Sequence, residues 1–230
     1  MKGVLMMKFT ERLWQRVQPI WDSYLEHPFV KGIGDGTLDK EKFKHWMKQD
    51  YIYLIDYARL FAIGASKATN LEMMTTFGNL VSGTLNTEMQ LHRQYAAQFG
   101  ISEQELEATQ PASTTLAYTS YMLNLAQRGG VENVIAAVLT CTWSYHYIGE
   151  ALNQIKGAAE HPFYGEWIKM YSSSEFTAFK DDVIAMMDRV AEGMSEEALD
   201  ALEEIVVHTS YYEYMFWDMA EYLETWPIKR

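Results

Sequence analysis

Apolar residues recur at helical spacing along almost the whole chain, and strand-like alternation is nearly absent. This periodicity constrains the fold more than any motif. It predicts an all-α protein with more helices than a four-helix bundle holds. The pattern runs over 8–25, 39–67, 70–99, 112–127, 131–156, 162–171, 175–193 and 196–224. Ser102-x-x-Glu105 opens a further short helix, and Thr69-x-x-Glu72 reads as the capping box that opens 70–99. Gly100 stops that helix, and Ser195 with Glu196 and Glu197 starts the last one. HPFVKGIGDGTL, residues 27–38, carries three glycines and reads as a turn-rich connector. VIAAVLT alone would pass for a strand, but it lies inside a longer helical pattern. With five prolines, 14 glycines and no linker or repeat in 230 residues, the chain reads as one domain over 1–230.

The chain is 48% apolar and 22% charged, which suits a packed core rather than disorder. Seven Trp, 15 Tyr and 10 Phe supply rings whose polar tips need partners when buried, the makings of a polar aromatic pocket. The formal net charge of −12 argues against binding nucleic acid or an anionic membrane surface, both of which need clustered Lys and Arg. It is compatible with a cationic or neutral small molecule. A single cysteine, Cys141, excludes an intramolecular disulfide. The opening MKGVLMMKFTERLW has too short an apolar run for a signal peptide, and no stretch approaches the roughly 20 apolar residues of a membrane span. A cytoplasmic protein is expected.

The candidate functional residues are polar intruders on core-facing stripes. Phe43, Trp46, Met47, Asp50, Leu54 and Tyr57 share one face, and Asp50 is its only charged member, with Tyr53 on the same side. Val206, Thr209, Glu213, Phe216, Trp217 and Ala220 form a second stripe interrupted by Glu213. Val134, Ala137, Val138, Cys141, Ser144, Tyr145 and Ile148 form a third. Each intruder has two readings. Asp50 and Glu213 are either core carboxylates bonded by tyrosines (Tyr211, Tyr212 and Tyr214 for Glu213) or desolvated acids tuned for proton transfer. Cys141 is either a small core residue or a nucleophile that needs a base from another helix. Glu41/His45, Glu88/His92, His146/Glu150 and Glu204/His208 are each four apart, and they read as helix-surface contacts rather than metal ligands. GIGDG at 32–36 lacks a preceding strand, so it is no dinucleotide loop, and no G-x-S-x-G elbow is present.

Several blocks together resemble the thiaminase II (TenA) family. They are HPFVKGIGDGTL, Lys48-Gln49-Asp50-Tyr51, Glu88-Met89-Gln90-Leu91-His92, Tyr118-Thr119-Ser120, Cys141-Thr142-Trp143-Ser144-Tyr145 and Tyr211 through Trp217. They follow the family's order and spacing over roughly 8 to 224. The resemblance implies a haem-oxygenase-like multi-helix bundle, a homotetramer, and hydrolysis at a pyrimidine methylene without metal or organic cofactor. The implied substrates are thiamine and 4-amino-5-aminomethyl-2-methylpyrimidine, and the product is the 5-hydroxymethyl pyrimidine salvaged into thiamine. By the same resemblance Cys141 is the nucleophile and Glu213 the acid/base. Asp50 holds the aminopyrimidine edge, and Tyr53, Tyr118, Tyr145, Tyr171 and Phe216 line the pocket. The cysteine puts the chain in the branch of the family that has one; Thr142 and Met215 stand at positions expected to vary. Two rival readings are a di-metal oxygenase or cofactor-independent oxidase on the same fold, and a regulatory binding protein, although the acidic charge argues against direct DNA contact.

Overall fold

The computed structural model describes residues 7–228, and every regular element among them is helical. The apolar opening, Met1 to Met6, lies outside the described residues. In order the helices are α1 (Phe9–Glu26), α2 (Pro28–Asp35), α3 (Lys40–Lys67), α4 (Leu71–Ser82), α5 (Met89–Gln98), α6 (Glu103–Ala108), α7 (Ser113–Arg128), α8 (Val131–Asn153), α9 (Gly165–Tyr171), α10 (Ser174–Ala191) and α11 (Glu196–Glu221). A π-helical turn, Gly83–Glu88, joins α4 to α5.

Helix α8 is the axis of the molecule, touching α1, α2, α3, α7, α9, α10 and α11. Its sequence explains why. Val134, Ile135, Ala136, Ala137, Val138 and Leu139 are all buried, so it is apolar on every side there. Each fully buried aliphatic side chain contributes about 1.5–3 kcal/mol of transfer free energy. Cys141 therefore lies near the centre of the fold.

Buried polar groups lock neighbouring helices in register. Tyr57 of α3 donates to the Val138 carbonyl of α8 at 2.9 Å and shares a 2.9 Å bond with the Thr142 hydroxyl. The first residue before α7, Ala112, has no side chain to cap the helix. Gln49 of α3 does that work from outside: its Oε1 accepts from Ala112 N and from Thr115 Oγ1, both at 2.8 Å. Its Nε2 donates to the Gln110 carbonyl at 3.1 Å. The residue beside Asp50 thus fixes where α7, and with it Tyr118, sits against α3.

Three local expectations are corrected. Residues 27–38 are not simply a connector, because α2 occupies most of them. His27 Nδ1 accepts from Phe29 N at 3.2 Å, Pro28 fills the first helical position, and Gly36 ends the helix at φ 77°. Helix 70–99 runs unbroken over 71–98 but is not α-helical throughout. The Met89 N–H bonds back five residues to the Thr84 carbonyl, which widens one turn and separates α4 from α5. Its start is capped by Asn70, whose Oδ1 accepts from Met73 N at 2.9 Å, rather than by the Thr69-x-x-Glu72 box. Ser102 and Ser195 do cap α6 and α11. Among the described residues no helix is long and apolar enough to cross a membrane.

Candidate active site

Two adjoining spaces, the inner one beside the middle of α8, share part of their lining. The inner chamber, about 20 Å³, is lined by Asp50, Tyr53, Leu54 and Tyr57 of α3, Glu88 of the π turn, Cys141, Thr142 and Tyr145 of α8, Tyr171 of α9, and Phe176 and Phe179 of α10. The outer cleft, about 430 Å³, is walled by α3, α5 and α9 and includes Trp46, His92, Tyr95, Trp167 and the rim residues Gln94, Glu166 and Lys169. Asp50, Leu54, Glu88 and Tyr171 belong to both and form the junction. Tyr171 reaches it because α9 packs directly on Gly149 of α8, where an added Cβ would lie 2.7 Å from the Tyr171 carbonyl carbon.

Cys141 is half-buried, and what it exposes faces the chamber. Burial pushes its thiol well up, and the nearby Glu213, Asp50 and Glu88 carboxyls push it further. A hydrogen bond from Tyr53 acts the other way. The resting sulfur is therefore a thiol that needs a base, as expected for a mid-helix cysteine with no helix N-terminus to help it.

Glu213 is 2% exposed. Tyr118 of α7 donates to its Oε1 at 2.8 Å, and burial pushes its carboxyl up to about 8 although that hydrogen bond opposes the shift. The partner is thus a tyrosine from another helix and not Tyr211, Tyr212 or Tyr214. Tyr212 contributes differently, stacking on Tyr118 with ring centroids 5.2 Å apart. Tyr53 packs against both Tyr118, at 5.4 Å, and Phe216, at 5.9 Å. Of the eight residues singled out in the sequence, Asp50, Tyr53, Cys141, Tyr145 and Tyr171 line the chamber. Tyr118, Glu213 and Phe216 form a layer next to Tyr53, close enough for the Glu213 charge to act on Cys141.

Asp50 is 6% exposed, and no tyrosine satisfies it. Its neighbour is His92 of α5, with Nδ1 3.5 Å from Asp50 Oδ2. His92 Nε2 lies 2.7 Å from the Met47 carbonyl, which only accepts, so Nε2 carries the proton. Burial pulls His92 down to about 4, and burial with the charges of Glu88 and Glu213 pushes Asp50 well up. His92 is accordingly neutral and turns a bare Nδ1 to Asp50, so the two are not an ion pair.

Glu88, His92 and Thr142 were not singled out by periodicity. Glu88 is half-buried, and burial pushes its carboxyl up to about 7 against a hydrogen bond with Thr84. The available signal was the Glu88/His92 spacing, and the surface reading of such pairs fails here. It holds for Glu204/His208, an exposed pair 4.0 Å apart. His146 bonds Thr177 at 2.9 Å instead of Glu150, and Glu41 pairs with Lys44 instead of His45. Among the described residues no group of three or more His, Cys, Asp or Glu is arranged to hold a metal ion.

Comparison with known proteins agrees with this architecture. The chain is 56% identical over 220 residues to a protein of Halalkalibacterium halodurans named aminopyrimidine aminohydrolase, covering 96% of this chain and 98% of that one. The solved TenA homologue from P. horikoshii OT3 superposes with a TM-score of 0.86 at 28% identity, over 94% of this chain and 99% of that one. Haem oxygenase-1 from the cyanobacterium Synechocystis superposes with a TM-score of 0.69 at 13% identity, covering 94% of each chain, which identifies the bundle as haem-oxygenase-like. The model of the TENA/THI-4/PQQC family matches residues 14–222, every helix that contributes a side chain to the chamber and its surrounding layer included, and the chain belongs to that family.

Proposed function

We propose that the protein is an aminopyrimidine aminohydrolase of thiamine salvage, converting 4-amino-5-aminomethyl-2-methylpyrimidine to the 5-hydroxymethyl pyrimidine and cleaving thiamine at the same methylene. One observation carries the reading: the only cysteine of the chain faces a tyrosine-walled chamber within reach of the Glu213 charge, in a chain 56% identical to a relative of that name.

The chemistry follows from the groups present. Ionised Glu213 takes the Cys141 proton as Sγ adds to the pyrimidine ring. The ring electrons expel the substituent nitrogen from the 5-methylene as ammonia, and Glu213 protonates it to ammonium. Water then adds to the exocyclic carbon while Glu213 takes one of its protons. Sγ is expelled as the ring regains aromaticity, and Glu213 returns the proton to it. One water is consumed and one ammonium released, and both side chains end as they began. A carboxyl near 8 is mostly protonated at neutral pH but close enough to it to work in both directions. Asp50 holds the amino edge of the ring, oriented by His92. Tyr53, Tyr145 and Tyr171 wall a chamber that holds roughly one water as it stands, so they move apart to admit the ring and then keep bulk water from it. Tyr118 and Phe216 set the positions of Glu213 and Tyr53. The route uses thiol and carboxyl alone and invokes no metal or cofactor.

A homotetramer in the cytoplasm belongs to the same reading. Leu71, Met74, Leu85 and Leu91 lie exposed along α4, the π turn and α5, apolar surface that an assembly would cover.

The test is release of the 5-hydroxymethyl pyrimidine from the aminomethyl pyrimidine and from thiamine. Wild type is expected to turn over at least one of them, and Cys141→Ser and Glu213→Gln to lose at least about a hundredfold in kcat, the scale of general acid/base catalysis. Full activity in either variant removes that residue from the mechanism, and an inert wild type removes the reaction.

A further inference from the structure

We infer that Glu88 is the group that receives the cationic substituent at the pyrimidine 5-methylene, an assignment that rests on the reaction proposed above. Glu88 ends the π turn and lines both the inner chamber and the outer cleft. With the ring placed beside Cys141, this assignment puts the substituent at the junction, where the narrow chamber meets the wider outer cleft. An aminomethyl group is an ammonium at neutral pH, and the thiazolium of thiamine is a fixed cation. Both call for a carboxylate at that point.

Among the described residues no cation pairs with Glu88, as such a site needs. Its hydrogen bond is to Thr84, a neutral hydroxyl. His92, four residues on, is engaged by Asp50 and the Met47 carbonyl. Lys169, on the cleft rim, pairs with Glu166 at 3.1 Å. A desolvated carboxylate with no cationic partner is costly, and an entering cation offsets that cost. Asp50 is occupied by His92 and by the ring edge, and Glu213, mostly protonated at neutral pH, serves the proton transfers, which leaves Glu88 to hold the cation. The walls of the cleft suit the same ligand. Trp46 packs on Trp167 at 6.1 Å, Trp167 packs on Tyr171 at 4.7 Å, and aromatic faces attract cations. Glu88 stands at the end of the π turn, and His92, four residues on, shares its face and lines the same cleft.

The alternative is structural: through Thr84, Glu88 merely holds the π turn. The experiment separates charge from shape. Binding of two ligands with the same ring, the cationic 5-aminomethyl and the neutral 5-hydroxymethyl pyrimidine, is measured by calorimetry. The proteins carry Cys141→Ser, so that neither ligand turns over, with Glu88, Glu88→Gln or Glu88→Asp. Glu88→Gln keeps the shape and an acceptor for Thr84. It is expected to weaken the cationic ligand at least about tenfold, the scale of a charged hydrogen bond, and to leave the neutral one within about twofold. Glu88→Asp is expected to recover part of the loss. In the cysteine-containing enzyme the Glu88→Gln defect is expected in KM for the aminomethyl substrate more than in kcat. Equal weakening of both ligands, or of neither, overturns the assignment while wild-type turnover leaves the reaction standing. If wild type turns over neither substrate, the reaction fails, and this assignment fails with it.

Discussion

Replacing Glu213 by Gln is expected to make the protein more stable at neutral and alkaline pH. The carboxyl titrates near 4.5 in an unfolded chain and at about 8 in the fold, because burial disfavours its ionised form. The folded state therefore holds its proton more tightly than the unfolded state between those values. Stability is lost as pH rises through that window, at about 1.4 kcal/mol per unit. Between pH 5 and pH 7.5 the accumulated loss is about 3 kcal/mol. Gln keeps an oxygen for the Tyr118 hydroxyl, now 2.8 Å from Glu213 Oε1, and does not titrate. The stability of Glu213→Gln relative to wild type should thus rise by about 3 kcal/mol over that range, or about 6–12 °C in Tm for a chain of this size. Melting both proteins at pH 5, 6 and 7.5 measures it. Asp50, Glu88 and the other titrating groups are common to the two proteins and largely cancel. A difference that stays flat with pH would refute the argument, since it would mean that Glu213 ionises in the fold as it does in water.

Three further outcomes follow from the same contacts. Tyr118→Phe removes the hydrogen bond that pulls Glu213 down, so the pKa near 8 should move higher and the rising limb of the kcat/KM profile should shift alkaline; an unmoved limb counts against Glu213 as the group it reports. Gly149→Ala places a Cβ 2.7 Å from the Tyr171 backbone, which no side-chain rotation relieves. It should cost about 1–3 kcal/mol in a urea titration and raise KM by displacing Tyr171, and an unchanged KM would mean that Tyr171 does not shape the chamber. Gln49→Ala orphans Ala112 N and Thr115 Oγ1 at the start of α7 and should cost about 2–4 kcal/mol, read as a lower denaturation midpoint; a neutral result would show that α7 finds another cap.

How much of this was legible in the sequence depended on whether a residue's surroundings were local. Asp50, Cys141 and Glu213 were visible because each interrupts an apolar stripe on a regular helix, where a spacing of three or four residues locates a face. Helices α3, α8 and α11 follow their predicted spans closely for the same reason. What satisfies Glu213 was not legible, because Tyr118 comes from another helix and stripes say nothing about partners across an interface. Glu88 was masked differently: counting 3.6 residues per turn from buried Phe77 brings it round to the same face, but a Glu and a His four apart read equally well as a surface pair. Helix α2 was misread for a different reason. Its glycines looked like turn residues, although Pro28 at the start and Gly36 at the end were proper helix signals. Gly32 serves packing instead, since a Cβ there would come within 3.0 Å of Leu38.

The dry carboxyls around the chamber also make the site a proton store. With Glu213 near 8, Glu88 near 7 and Asp50 pushed up, the formal charge of −12 overstates what the folded protein carries at neutral pH. A cation entering the chamber pulls these values back down and sends protons out to solvent. Binding then exchanges one positive charge for another, so the heat it releases should follow the ionisation enthalpy of the buffer, and its strength should vary little with salt. Recognition of this kind is an ion exchange, with the proton as the ion displaced.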